Sequence, residues 1–345
     1  MKANPVIAVD AMGGDFGPSV VVPGAITASR QFDVRVLLVG DTEKINNELK
    51  ALDLTGASYE VVHASDVVRM NDKASDVLRR KREASIQIAC KLVRDGVADG
   101  VVSAGHSGAA VACGIFTIGR LPGVERPALA AMLPTEKNPV VVLDAGANVD
   151  CRPYHLFQFG LMGSAFARDL LNYPAPRISL LSIGEEEGKG NSQVKEAYEF
   201  LKMAQNLNFL GNAEGRDIFT GDVDVVVCDG FVGNVVVKMS EGLAASLMRM
   251  LKRLFTSGIL PALGALLAKG AFRQFAHTID YASYGGAPLL GLKGLVIVCH
   301  GRSNSLAMTN AIKMSATFVR KDTNARLAET IVANEELTRF TRAFS

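Results

Sequence analysis

Short apolar runs alternate with Gly-rich or polar loops and with longer stretches of helical period along most of the chain. Eight runs read as strands: Val6–Asp10, Val34–Val39, Ser58–Val62, Gly100–Ser103, Val140–Asp144, Ile178–Ile183, Val223–Cys228 and Leu295–His300. Several are apolar at every position rather than at every second one. That pattern suits parallel strands covered by helices on both faces. Helical spacing predicts His155–Leu171, Ser192–Leu207 and Leu306–Arg320. The alternation implies an α/β fold: a doubly wound, mostly parallel sheet with helices on both faces, binding ligands at the carboxyl ends of its strands.

A length of 345 residues suits one large α/β domain or two closely packed ones. No repeat or low-complexity linker divides it, so residues 1–345 are read as a single catalytic unit. Lysines and arginines number 37 against 35 acids, a net charge of +2, which makes no general case for nucleic acid. The five cysteines are odd in number and form no CxxC pair. Residues 1–5 lead directly into a strand-like run rather than a secretory signal, so a reduced, cytoplasmic setting is expected.

Five strand ends run into unusual loops. The first is Asp10-Ala11-Met12-Gly13-Gly14-Asp15, where paired glycines permit a sharp turn or a close backbone approach to a ligand. The second, Ser103 to Ala109, contains Gly105, His106, Ser107 and Gly108 and opens a helix; free N–H groups at such a start attract anions, while Ser107 alone suits a cap. The third, Leu143 to Cys151, holds Asp144, Asn148 and Asp150, residues that also stabilise ordinary turns. The fourth, Ile183 to Asn191, carries Lys189 between Gly188 and Gly190. Its spacing departs from the nucleotide-binding G-x-x-x-x-G-K-[ST], but a lysine flanked by glycines still reaches a small phosphate. Its three glutamates are expected to face solvent or orient Lys189. The fifth, Cys228 to Asn234, puts Asp229 at a strand end and Asn234 near a helix start, as a cap or as a donor to a carbonyl oxygen.

A thiol mechanism needs a cysteine beside a base. Cys228 lies in an apolar strand, and Cys299 and His300 are adjacent in a strand and point to opposite faces, leaving Cys151 as the only loop candidate. No G-x-S-x-G elbow occurs, and the five histidines form no metal-binding cluster. These absences favour direct attack by a bound nucleophile rather than an acyl-enzyme, and they give no support to a metal.

Residues 240–275 stand apart. Leu243, Leu247, Met250, Leu251, Leu254 and Phe255 fall on one helical face and Arg249, Lys252 and Arg253 on another. Gly258 interrupts, an uncharged stretch containing Leu260 and Leu263 follows, and Lys269 and Arg273 restore charge. The segment suits a membrane surface, an acyl chain or an acidic carrier, and equally a packed helical hairpin or dimer contact.

Taken together, the segments Asp10–Asp15, Ser103–Ala109, Leu121–Ala128, Leu143–Gly163, Ile183–Asn191, Asn212–Ile218, Asp224–Asn234 and Tyr284–Gly301 resemble the bacterial phosphate acyltransferases of phospholipid synthesis. One departure is visible: His106 and Ser107 stand where that family usually has Asn and Thr. The resemblance implies an enzyme that moves a long-chain acyl group from acyl carrier protein to inorganic phosphate, the acyl phosphate then serving a glycerol-3-phosphate acyltransferase. It also implies a homodimer, no cofactor, peripheral association with the inner face of the cell membrane, and a fold related to phosphate acetyltransferases and isopropylmalate-type dehydrogenases.

The expected mechanism seats phosphate between Gly105–Gly108 and Gly188–Asn191, with Asp10, Gly13 and Gly14 nearby. Lys189 offsets its charge, and Asn191 or Asn234 stabilises the oxyanion. Asp229 or His106 orients phosphate or handles a proton. The alternatives are a phosphate acetyltransferase using coenzyme A, a dehydrogenase on a related fold and a non-catalytic membrane scaffold. The dehydrogenase lacks its G-x-G-x-x-G fingerprint, and the scaffold leaves five Gly-rich loops without a purpose.

Overall fold

A computed structural model describes residues 4–279, 283–334 and 336–337. Among these, eleven strands form one sheet: β1 (Val6–Asp10), β2 (Arg35–Gly40), β3 (Tyr59–His63), β4 (Gly100–Ser103), β5 (Ala128–Leu133), β6 (Val140–Leu143), β7 (Ile178–Leu181), β8 (Phe209–Ala213), β9 (Val225–Val227), β10 (Ala287–Leu290) and β11 (Leu295–Val298). Their order is β3-β2-β1-β4-β11-β10-β5-β6-β9-β7-β8. The mostly parallel α/β sheet expected from the sequence is therefore present.

The sheet is two parallel blocks joined by a seam. The first block is β3-β2-β1-β4-β11 and the second is β6-β9-β7-β8. Between them β10 pairs antiparallel with both β11 and β5, and β5 pairs antiparallel with β6, so the two blocks run in opposite directions. The register Val101–Val296–Leu289–Leu129, with Ala130 opposite Leu143, brings the carboxyl ends of β4 and β6 level to within about one residue. Loops leaving the two blocks thus start at one height and diverge.

Three strands escaped the sequence pattern for separate reasons. Alanines dilute β5, Gly211 and Asn212 interrupt β8, and Pro288 sits inside β10. Cys299 and His300, expected within a strand, lie just beyond β11, with Cys299 buried and His300 exposed.

One face is covered by α1 (Pro18–Phe32), α2 (Thr42–Leu49), α6 (Pro153–Leu170), α7 (Ser192–Met203), α11 (Ser305–Arg320) and α12 (Thr323–Ala333) over the largest apolar cluster. The other face carries two separate clusters. Helices α3 (Asp76–Arg79), α4 (Ser85–Arg94) and α5 (Ser107–Cys113) cover the first block, and α8 (Gly230–Phe255) covers the second. Helix α6 is buried at all but three of its eighteen positions. Its glycines permit that: a Cβ on Gly163 would meet Val225 at 2.6 Å, and one on Gly160 would meet Leu201 at 2.5 Å.

The segment expected at 240–275 is the outer half of α8 followed by α9 (Ile259–Leu267) and α10 (Lys269–Ile279), with α8 and α9 bent by 120° at Gly258. The single apolar face expected on α8 is really two. Leu251 and Phe255 turn into a groove of about 600 Å³ shared with Ala262, Ala265 and Phe272, where the Phe255 and Phe272 rings stand 4.7 Å apart. Leu243, Leu247, Met250 and Leu254 face outward, and the tip exposes Ile259, Leu260, Leu263, Leu266 and Leu267. No single described helix is long and apolar enough to cross a membrane.

Candidate active site

At the edge of the first block, Asp10 ends β1 with its carboxylate buried. Ser85 Oγ donates to Oδ1 at 2.6 Å and Ser103 Oγ to Oδ2 at 2.7 Å, and the Met12 N–H reaches Oδ1 at 3.3 Å. Burial raises the Asp10 carboxyl above the ordinary range, and the serine and backbone donors oppose that rise. Asp10 was expected to touch phosphate; instead both oxygens are taken up in holding the loop. The Ser103 hydroxyl also accepts from the Gly105 N–H at 3.1 Å. Gly13 is fitted against Gly105: a Cβ there would lie 2.6 Å from the Gly105 nitrogen. Gly14 has φ +88°, and the neighbouring Asp15 N–H donates to Gly301 O at 2.8 Å, tying in the loop after β11.

The cap of α5 is His106 rather than Ser107. Its Nδ1 accepts from the Ala109 N–H at 3.2 Å, which leaves the proton on Nε2. Ser107 is exposed as the first helical residue, and Gly108 packs against His106 and Ala74.

The second block assembles the other three loops. Strands β6, β9 and β7 are adjacent and parallel, so the turns after them lie side by side. The Asp144 carboxylate accepts the N–H groups of Leu129 (2.9 Å), Gly146 (3.1 Å), Ala147 (3.0 Å) and Asn148 (2.7 Å), plus the Asn148 amide at 2.8 Å. Asn148 O accepts from the Gly230 N–H at 2.7 Å, and Asp229 caps α8 through the Val232 N–H at 2.9 Å. Asn234, expected as a possible cap, is instead exposed in the second turn of α8, its side chain lying over Gly146.

Asn191 caps α7, its Oδ1 accepting the Val194 N–H at 2.9 Å. Lys189 is exposed, and among the described residues no acid lies within ion-pair distance of it. Of the three neighbouring glutamates, Glu185 pairs with Arg216 (3.4 Å) and Glu187 with Lys202 (2.9 Å), while Glu186 borders Gly184 together with the Lys189 side chain. Gly190 sits at φ +99° against Val194, and Gly188 is open. Gln193 Nε2 donates to Cys151 O at 2.8 Å, joining this turn to the one after β6.

The strand order separates the two loops expected to share phosphate. Six strand steps lie between β4 and β7, roughly 29 Å at the usual spacing, so Gly105–Gly108 and Gly188–Asn191 do not form one cradle through their strands. The strands nearest β7 on this side are β9 and then β6, which lead into the turns of Asp229 and Asp144. The Ala147 side chain provides a bridge between the edges, packing against the cluster that holds Ala109 and Ala110.

Every cysteine is free, and all but half-buried Cys151 are buried. Burial pushes the Cys151 thiol up to about 12, with Asp144 and Asp229 adding to the rise, and burial also raises Cys299 to about 12. The described residues include no group of three or more His, Cys, Asp or Glu placed to hold a metal.

The model of the fatty acid synthesis protein family matches residues 6–326. The phosphate acyltransferase of Nitratidesulfovibrio vulgaris (strain DP4) is 67% identical over 338 residues, 98% of each chain. This chain belongs to the phosphate acyltransferase family. The Lawsonia intracellularis phosphate acyltransferase is 64% identical, covering 97% of this chain and 96% of its own length. Among solved structures, a phosphotransacetylase from Streptococcus pyogenes aligns over 93% of this chain and 95% of its own, with TM-score 0.62 and 19% identity. A branched-chain phosphotransacylase from Enterococcus faecalis aligns over 91% and 99%, with TM-score 0.56 and 16% identity. These likenesses establish the fold, and family membership makes the chain a phosphate acyltransferase.

Proposed function

We propose that the acyl donor is a long-chain thioester borne by acyl carrier protein and that the product is an acyl phosphate used to acylate glycerol 3-phosphate. Phosphate lies against Lys189 and the Asn191 amide, beside the turn that carries Asp229 and Asn234. A phosphate oxygen attacks the thioester carbonyl, the C–O bond forms, and the C–S bond breaks. The phosphate proton ends on the departing thiolate. The Asn234 amide and neighbouring N–H groups stabilise the tetrahedral oxyanion. His106, with its proton on Nε2, is a hydrogen-bond donor on the other block, which the Ala147 contact links to the turn of Asp144.

The observation that carries this reading is Lys189, an exposed cation that makes no ion pair among the described residues, in the loop after β7 and flanked by glycines. Direct displacement is supported by Cys151, the loop thiol, which burial pushes up to about 12 and so keeps protonated at neutral pH. A homodimer and reversible association with the inner face of the cytoplasmic membrane through α8–α10 complete the proposal. The apolar tip supports both. The test is incubation with long-chain acyl carrier protein and phosphate, trapping product with hydroxylamine. Acyl hydroxamate formed only when phosphate is present supports the reading. Equal product from short-chain coenzyme A thioesters alone would favour an acetyltransferase-like activity.

A further inference from the structure

The segment from Val67 to Glu83 forms a loop closed at its root. Asp66 pairs with Ala84 in an isolated bridge, the Asp66 N–H donates to Glu83 O at 3.3 Å, and the Ser85 N–H donates to Asp66 O at 3.0 Å. The next atom along that root is the Ser85 hydroxyl, which holds Asp10. The far side of the loop touches the second Gly-rich turn, where Ala74 packs on Gly108. The loop is therefore rooted on one candidate site loop and rests on another.

Its charges are unbalanced in a specific way. Half-buried Lys81 ties the loop down through Asp72 at 2.8 Å, Asp66 at 3.5 Å and the Val67 carbonyl at 2.6 Å. Arg80 stands 4.0 Å from Asp76, and Glu83 is 3.4 Å from Lys91. Every acid from Asp66 to Glu83 is thus matched. Arg69, Lys73, Arg79 and Arg82 remain, all exposed and, among the described residues, with no acid in ion-pair distance. Val67–Glu83 holds six cations against three acids, a net charge of +3 within seventeen residues that exceeds the +2 of the whole chain.

We propose that this loop is the docking surface for the acidic protein that carries the acyl thioester. The inference rests on the carrier-borne donor proposed above. A compact cluster of cations beside a site steers an acidic partner and sets its orientation. A lipid surface fits less well. Interfacial membrane binding needs a broad apolar face, and the loop exposes one large apolar side chain, Met70, whereas the α8–α10 tip exposes five. An isolated methionine among arginines is the composition of a protein contact.

The test uses the double variants R79E/R82E and R69E/K73E of the full-length enzyme, assayed by hydroxamate trapping with two donors: an acyl acidic carrier protein and a short-chain acyl N-acetylcysteamine thioester, which is small and uncharged. The expected result is a rise of at least about tenfold in KM for the carrier donor and a flatter salt dependence of kcat/KM. Turnover of the small thioester and KM for phosphate stay at wild-type values. Unchanged carrier kinetics in both variants overturns the proposal. So does an equal loss with both donors, which reports a disturbed site, or a loss confined to binding of anionic phosphatidylglycerol vesicles, which reports a lipid surface. If the wild-type enzyme makes no acyl phosphate from the carrier donor, the donor assignment itself fails, and the docking assignment fails with it.

Discussion

Gly233 lies so close to Asp144 that a Cβ on the glycine would stand 1.9 Å from the aspartate carbonyl oxygen. Nothing but hydrogen fits there, because the first turn of α8 is pressed onto the loop after β6. A Cβ on Gly230 would likewise meet Asn148 O at 2.5 Å. Gly233→Ala must push α8 away from that loop and displace Asp229 and Asn234. The variant is expected to lose roughly 2–4 kcal/mol of stability, in the range of overpacking and backbone shifts. It should lose most of its turnover even where it still folds. A melting temperature and activity equal to wild type would contradict the packing described.

Asp10 makes stability depend on pH in a direction opposite to most carboxylates. Its folded-state carboxyl is raised by burial, so the folded protein holds that proton more tightly than the unfolded chain does. Its contribution is fully present below the unfolded value of about 3.9 and is lost as pH climbs through the raised folded value. Asp10→Asn removes the titration, with a serine hydroxyl turning to accept from the new amide. The difference in unfolding free energy between wild type and variant, measured by urea titration across this window, is expected to fall with rising pH for wild type. A difference that does not vary with pH would remove the argument.

Lys189→Ala should raise the KM for phosphate by about tenfold to a hundredfold, the worth of one hydrogen bond to a charged group. The melting temperature should hardly move, because the ammonium makes no ion pair among the described residues. Steady-state kinetics with phosphate as the varied substrate give the answer. An unchanged KM and turnover would remove Lys189 from the site.

Cys151→Ser is expected to retain activity within about threefold. The thiol sits near 12, so thiolate is scarce at neutral pH. An acyl thioester trapped on Cys151, or a well-folded but inactive serine variant, would replace direct displacement with a covalent intermediate.

Replacing Leu260 and Leu263 with Glu should release the enzyme from anionic vesicles and leave soluble turnover largely intact. Each leucine contributes about 1.5–3 kcal/mol at full burial, and both are well exposed on the tip. Vesicle flotation measures the effect. Retention on the vesicles would transfer the tip to packing or dimer contact.

The sequence by itself determined the local chemistry. Alternation of apolar runs and helical stretches marked most of the parallel strands, because a strand covered on both faces must be apolar at nearly every position. Gly-rich turns with Asp10, Asp144, Lys189 and Asp229 were visible because φ values such as +99° at Gly190 leave a compositional mark. Tertiary structure decided which turns meet. Strand order is settled by pairing between segments far apart in the chain, and no local pattern records it. That order put the strand leading to Lys189 next to those leading to Asp229 and Asp144, and six strands from the one leading to Gly105. It also brought Ser85 to Asp10 across 75 residues. A serine at a helix start reads as an ordinary cap, and only the packing of α4 on β1 makes it the partner of a buried carboxylate. The two faces of α8 followed the same rule: helical period marks apolar positions, but whether a neighbour covers them depends on the 120° turn at Gly258 that folds α9 away from the α8 axis.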